Sequence, residues 1–170
     1  FTSGSTGAAK AVVYGSEMLL HGVLAFNRHA RVGEGTRCLV KTAPFWVTME
    51  WEVFAPLVAG GALVVDGTCR KALAKQAQLL VDHQITLLVT SGPVLQALSE
   101  DFWATPEKRP QALTQIVNIG AGVRVASFAA VQGQLGAGVE LQNMYGCTEC
   151  PCTVWTYAPG SEAVANSAPV

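Results

Sequence analysis

Apolar residues in this chain recur at two spacings, and the two alternate from one end to the other. Met18, Leu19, Leu20, Val23, Leu24 and Phe26 fall at helical intervals behind Ser16 and Glu17, a cap and an acidic first turn, which predicts a helix over 16–30. Arg37-Cys38-Leu39-Val40-Lys41 reads as a short strand. A helix over 50–57 follows, closed by Gly60-Gly61 before a strand over 62–65. The unit then repeats, with a helix over 70–82, an apolar strand over 85–89 and a short helix over 93–98 opened by Pro93. Residues 99–110 mix acidic and basic side chains with two prolines, which predicts a solvated excursion without a domain boundary. A buried strand over 116–119 runs into Gly120-Ala121-Gly122, a helix covers 126–135, and a strand over 139–142 feeds a loop that begins at Asn143.

Strand–helix alternation of this kind predicts an α/β fold: a mostly parallel sheet covered by helices on both faces, with ligands gathered where loops leave the carboxyl ends of the strands. No fixed-period repeat is evident.

Composition narrows the function classes. With 50% hydrophobic and 14% charged residues, the 170-residue chain is not generally disordered. A mean hydropathy of +0.32 is high for a free-standing soluble domain, so the chain reads as an internal piece of a larger one whose neighbours cover its apolar surface. The net charge of −1, with eleven Lys and Arg residues in no cluster, leaves no basic field for nucleic acid. No apolar run reaches the roughly 18 residues of a membrane span, and the start carries no signal-peptide features, so a cytoplasmic protein is expected. Five cysteines are an odd count, which suits reduced thiols better than a disulfide framework. Cys147, Cys150 and Cys152 can begin a zinc site or be ordinary buried thiols; the histidines, His21, His29 and His83, are all distant in sequence.

Two short segments carry the chemistry. Phe1-Thr2-Ser3-Gly4-Ser5-Thr6-Gly7-Ala8-Ala9-Lys10 combines glycines that let amides turn toward an anion, four hydroxyl side chains and one cation, the ingredients of a phosphate cradle. The P-loop of nucleotide triphosphatases is disfavoured, because Lys10 follows Gly7 by three positions and no hydroxyl residue follows it. Far downstream, Asn143-Met144-Tyr145-Gly146-Cys147-Thr148-Glu149 offers an aromatic face for a base, an amide for its edge and a carboxylate for a divalent cation on phosphate. Together they read as a site for ATP with Mg2+.

The pair resembles the signatures of the adenylate-forming (AMP-binding) enzymes, which include acyl-CoA synthetases, luciferases and nonribosomal peptide synthetase adenylation domains. A third stretch, Trp51-Glu52-Val53-Phe54-Ala55-Pro56-Leu57 with Gly60-Gly61 behind it, is similar to a segment of the peptide synthetase branch. The resemblance runs from Phe1 to about Trp155. It implies that residues 1–170 are a partial adenylation domain, within the large N-terminal subdomain and truncated at both ends. It implies that Thr2, Ser3, Gly4, Ser5, Thr6, Gly7 and Lys10 wrap the β- and γ-phosphates. Tyr145 would stack on adenine with Asn143 at its edge and Gly146 beside it, Thr148 would meet the α-phosphate, and Glu149 would bind Mg2+. Lys10, Thr148 and Glu149 are thus the expected catalytic groups. Gly120, Ala121 and Gly122 match the strand end that lies along adenine, or form a plain tight turn. Ala9, Ala11 and Cys147 depart from the family's proline, glycine and proline; none of these changes removes a donor or a charge.

The same resemblance places Val47 where amino-acid-activating members carry an aspartate that pairs with the substrate ammonium. A valine cannot hold a cation, and burying an unpaired ammonium against it costs several kcal/mol. The expected substrate is therefore a carboxylic acid without the usual α-amino group: a keto, hydroxy, aryl or fatty acid. The other matched pocket positions, Thr48, Trp51, Val89, Val117, Ile119, Met144, Cys152 and Thr153, are mostly apolar and favour a branched or aromatic side group. The implied reaction makes an acyl-AMP and passes the acyl group to phosphopantetheine on a carrier-protein domain. A lysine and a ribose-binding aspartate of the family would lie beyond Val170, so these 170 residues alone are expected to be inactive. A stand-alone acyl-CoA synthetase and a non-catalytic nucleotide-binding module are the alternatives.

Overall fold

The computed structural model describes Gly7 and residues 10–157, with the backbone alone for 150–156. In chain order the elements are α1 (Ser16–His29), β1 (Arg37–Val40), α2 (Thr48–Val58), β2 (Ala62–Val65), α3 (Leu73–Asp82), β3 (Leu87–Thr90), α4 (Gly92–Leu98), β4 (Gln115–Ile119), α5 (Val125–Leu135), β5 (Glu140–Cys147) and β6 (Cys150–Thr156). The strands form one six-stranded sheet in the order β2-β1-β3-β4-β5-β6. The first five are parallel and β6 joins antiparallel to β5.

The two-residue period of the strands divides the core into two layers. Leu39, Leu88, Ile116 and Leu141 pack with Leu79 and Leu80 of α3, Leu95 and Leu98 of α4, and Phe128 and Val131 of α5. Their sequence neighbours Cys38, Leu87, Val89 and Val117 share the opposite layer with Ile119 and Met144, against Val23 and Phe26 of α1 and Trp51 and Ala55 of α2. Helices thus cover both faces, as the alternation of apolar spacings predicts. Among the described residues, no helix is long and apolar enough to cross a membrane.

Three segments depart from the sequence expectation. The helix expected from 70 begins at Leu73, after a separate 3-10 turn over Cys69–Lys71. Gln76 holds that turn by donating from Nε2 to the carbonyls of Cys69 (3.0 Å) and Arg70 (3.3 Å). The excursion expected over 99–110 is exposed at Glu100, Asp101 and 104–108 but not throughout. At its start, α4 runs on as a π-helical turn over Ser99–Trp103 that buries Trp103 completely. Ser99 Oγ donates to Gln134 Oε1 (2.7 Å), and Gln134 Nε2 donates back to the Ser99 carbonyl (3.1 Å), tying this turn to α5. One large aromatic with a place in the core outweighs the charged residues around it.

The third departure bears on the site. The loop expected from Asn143 is strand: β5 runs to Cys147 because β6 pairs along it, from Gln142 opposite Thr156 to Cys147 opposite Cys150. The irregular segment shrinks to the turn at Thr148 and Glu149.

Candidate active site

The carboxyl end of β1 is fastened to α2 by a buried ion pair. Glu52, fully buried, accepts from Lys41 Nζ (3.0 Å) and Thr42 Oγ1 (2.8 Å) at Oε1, and from the Lys41 (3.0 Å) and Thr42 (2.8 Å) amides at Oε2. Lys41 Nζ also donates to the Val89 carbonyl at 2.6 Å, so the clamp spans β1, α2 and β3. With both carboxylate oxygens occupied, the desolvation cost of the pair is offset by charge-assisted hydrogen bonds. The clamp fixes the loop between β1 and α2, and with it the start of the helix that carries Val47, Thr48 and Trp51.

Val47, Trp51 and Ile119 line one narrow cavity between α1, α2 and the ends of β4 and β5, together with Glu50, Gly146 and Cys147. Trp51 stacks on Phe26 with ring centroids 5.3 Å apart, which sets the cavity's inner wall. Val89, Val117 and Met144 are buried in the packed layer beneath it rather than on its surface. Thr48 faces a neighbouring open cleft of about 550 Å³, which it shares with Ile119, Gly120 and Ala121. The side chains of Cys152 and Thr153 lie outside the described residues.

The turn after β4 is built by one amide. Asn118 Nδ2 donates to the Ala121 carbonyl (2.8 Å) and to Asn143 Oδ1 (2.5 Å), joining the Gly120-Ala121-Gly122 turn to β5. Gly120 has φ +82°, a conformation that a β-carbon disfavours. Gly122 packs its carbonyl against Gly92 so closely that a β-carbon at residue 92 would lie 2.2 Å from the oxygen. Glycine at position 92 therefore sets how near α4 can come to the Gly120 turn.

At the end of β5, Tyr145 is 53% exposed, whereas Asn143 is buried with its Oδ1 engaged by Asn118. Thr148, on the β5–β6 turn, lines a further cleft together with Val47 and Glu50. Glu149 is exposed on the same turn. Lys10 and Gly7 are exposed, and Gly7 has φ +88°. Thr2, Ser3, Gly4, Ser5 and Thr6, the rest of the expected phosphate cradle, lie outside the described residues.

Burial governs the titration of this region. It pushes the Glu50 carboxyl above the usual carboxylate range, and it pushes the Cys38 and Cys69 thiols up, which leaves both protonated and inert. Sequence reasoning missed Glu50 as a cavity residue, Asn118 as the link to Asn143, and Lys41 with Glu52 as a clamp. Acidic residues on both sides of Trp51, in a helix that is apolar over its remaining turns, were a clue that at least one of them has a buried partner.

Comparison with known proteins places this geometry. The model of the AMP-binding enzyme family matches residues 1–169. The chain is 35% identical over 152 residues to phenyloxazoline synthase MbtB of Mycolicibacterium paratuberculosis, covering 89% of this chain and 13% of the relative. It is 27% identical over 169 residues to enterobactin synthase component F of Escherichia coli, covering 98% of this chain and 13% of the relative. The chain thus spans only a small part of the curated relatives it matches. Its fold resembles the Vibrio cholerae adenylation domain AlmE, solved with glycyl-adenosine-5'-phosphate, at a TM-score of 0.84 and 22% identity over 99% of this chain and 31% of that one. It also resembles the Klebsiella oxytoca NpsA N-terminal subdomain, solved with 3-hydroxyanthranilyl-AMSN, at a TM-score of 0.76 and 19% identity over 92% of this chain and 39% of that one. A family match along nearly the whole chain, on a mostly parallel sheet covered by helices on both faces, means that the chain belongs to the AMP-binding enzymes.

Proposed function

We propose that this chain is the nucleotide- and acid-binding part of an adenylation domain in a longer nonribosomal peptide synthetase, and that it activates a carboxylic acid without the usual α-amino group. The observation that carries this reading is that Val47 and Thr148 line one cleft. Thr148 comes from the segment assigned to the nucleotide and Val47 from the segment assigned to the acid, so an acid and an α-phosphate held by them would meet.

In the proposed reaction a carboxylate oxygen attacks the α-phosphorus, the bond from that phosphorus to the β-bridging oxygen breaks, and pyrophosphate leaves with the electron pair. The thiol of a carrier-protein phosphopantetheine then attacks the acyl carbon, and AMP departs. Catalysis of this type rests on positioning and charge stabilisation rather than on a covalent enzyme group. Lys10 would neutralise the departing pyrophosphate, with Thr2, Ser3, Gly4, Ser5, Thr6 and Gly7 cradling it. Thr148 would donate to the α-phosphate, and Tyr145 would stack on adenine with the Gly120-Ala121-Gly122 turn alongside. Asn143 would orient the base edge from its fixed position against Asn118. Glu149, an exposed hard oxygen donor, fits Mg2+, which when bound neutralises phosphate charge.

The acid pocket is read from Val47, Trp51 and Ile119 on the narrow cavity, Thr48 on the neighbouring cleft, Val89, Val117 and Met144 beneath, and Cys152 and Thr153 on β6. ATP–pyrophosphate exchange by the full-length protein, comparing leucine with 4-methyl-2-oxopentanoate, tests the substrate class. The oxo acid is expected to support exchange at least about tenfold better, since an unpaired buried ammonium costs more than 1.4 kcal/mol. A strong preference for leucine would overturn that part of the reading. Exchange by residues 1–170 alone is expected at background, and robust turnover would show that these residues suffice.

A further inference from the structure

The α2 helix carries two carboxylates near its start, and they are treated in opposite ways. Glu52 is fully buried and saturated by Lys41 and Thr42. Glu50, half-buried, lines both the narrow cavity with Val47, Trp51 and Ile119 and the adjoining cleft with Val47 and Thr148. It has no hydrogen bond or ion pair to its carboxylate among the described residues. Among the described residues it is the only Asp, Glu, Lys or Arg on the walls of either space. Val47 and Glu50 are three residues apart, so they share one side of the helix, offset by about 4.5 Å along its axis.

We propose that Glu50 is a specificity-determining residue that pairs with an ammonium group placed beyond the α-carbon of the acid, so that the substrate class is a β-amino or more remote amino acid. The inference rests on the proposed adenylation and deepens its substrate assignment. With valine at position 47, an α-ammonium meets a hydrocarbon wall. A cation displaced by two or three bonds meets the Glu50 carboxylate one helical turn away. The first turn of a helix favours a carboxylate, yet burial still raises the proton affinity of Glu50. The fold by itself gains little from an acid there, whereas an ammonium ligand would supply the partner that the described residues withhold. The walls around it are otherwise mainly apolar, which suits the hydrocarbon between carboxylate and amine.

The test is ATP–pyrophosphate exchange by the full-length protein with a matched pair, 3-amino-5-methylhexanoate and 5-methylhexanoate. The native protein is expected to favour the amino acid, and Glu50→Gln, which keeps shape and removes charge, should reduce the ratio of the two kcat/KM values by about 10–100-fold. Glu50→Asp should retain part of the preference. Equal loss on both acids would mark Glu50 as structural and overturn the proposal, as would a native protein that does not prefer the amino member. If neither these acids nor any other supports exchange, it is the adenylation reading that fails. Thermal unfolding of each variant separates a change of preference from a failure to fold.

Discussion

The two faces of the sheet are built to different standards. One is closed by α3, α4 and α5 over a continuous apolar layer that includes Trp103, Phe128, Leu88 and Ile116, each almost wholly removed from water. The other is covered by α1 and α2 and holds the cavity, the clefts and the ion-pair clamp. The outer surfaces of those two helices leave Leu20, Leu24, Phe54, Leu57 and Val58 exposed. The lesson is that the first face stores stability in packing, whereas the second gives up packing for space and holds its shape with a few polar bonds.

Truncation should separate the faces most clearly where packing is densest. Trp103→Ala, on the closed face, should cost about 3–5 kcal/mol in urea unfolding of the adenylating domain; a loss under about 1 kcal/mol would erase the distinction. Glu52→Ala should cost a similar amount, about 3–5 kcal/mol, although it lies on the open face, because Lys41 would be left as a buried cation without its carboxylate. If Glu52→Ala proves nearly neutral, the clamp does not hold the open face together. Gly92→Ala should follow at about 1–3 kcal/mol, since its β-carbon would collide with the Gly122 backbone, and melting curves read this directly. Asn118→Ala should cost a comparable 1–3 kcal/mol, roughly, by removing the two bonds that Nδ2 donates to Asn143 Oδ1 and the Ala121 carbonyl.

The smallest expected effect concerns cavity walls. Val47→Ala should lower stability by less than about 1.5 kcal/mol, because its side chain already borders empty space, whereas Leu88→Ala in the packed layer should cost about 2–5 kcal/mol. Glu50 supplies a pH version of the same comparison. Its folded-state proton affinity is raised by burial, so the stability it contributes is fully present below the unfolded carboxyl range and is lost as pH rises through the higher folded value. Glu50→Gln should therefore raise the neutral-pH melting temperature by a few degrees at most, roughly, and leave it unchanged near pH 4. A gain of equal size at both pH values would point to a cause other than charge.

Much of the architecture was legible because the strands are short, apolar and bounded by turn residues. The alternation of Leu87, Leu88 and Val89, or of Ile116 and Val117, places neighbours in opposite layers by geometry alone. The extension of β5 past Asn143 was not legible, since it depends on β6 coming back alongside, and pairing partners are not written locally. Trp103 was hidden for a similar reason, as its charged neighbours dominate the segment while its own burial depends on α5.

By itself, the sequence determined the parallel α/β layering, the two signatures that mark the AMP-binding family, and the absence of a carboxylate at position 47. Those are matters of residue type, spacing and order, which the chain carries before it folds. Only the tertiary structure decided that Glu52 is consumed by Lys41 and Thr42 while Glu50 stays open to the cavity. Two carboxylates two residues apart on one helix face different directions, and what each meets there belongs to distant strands and loops rather than to its neighbours in sequence.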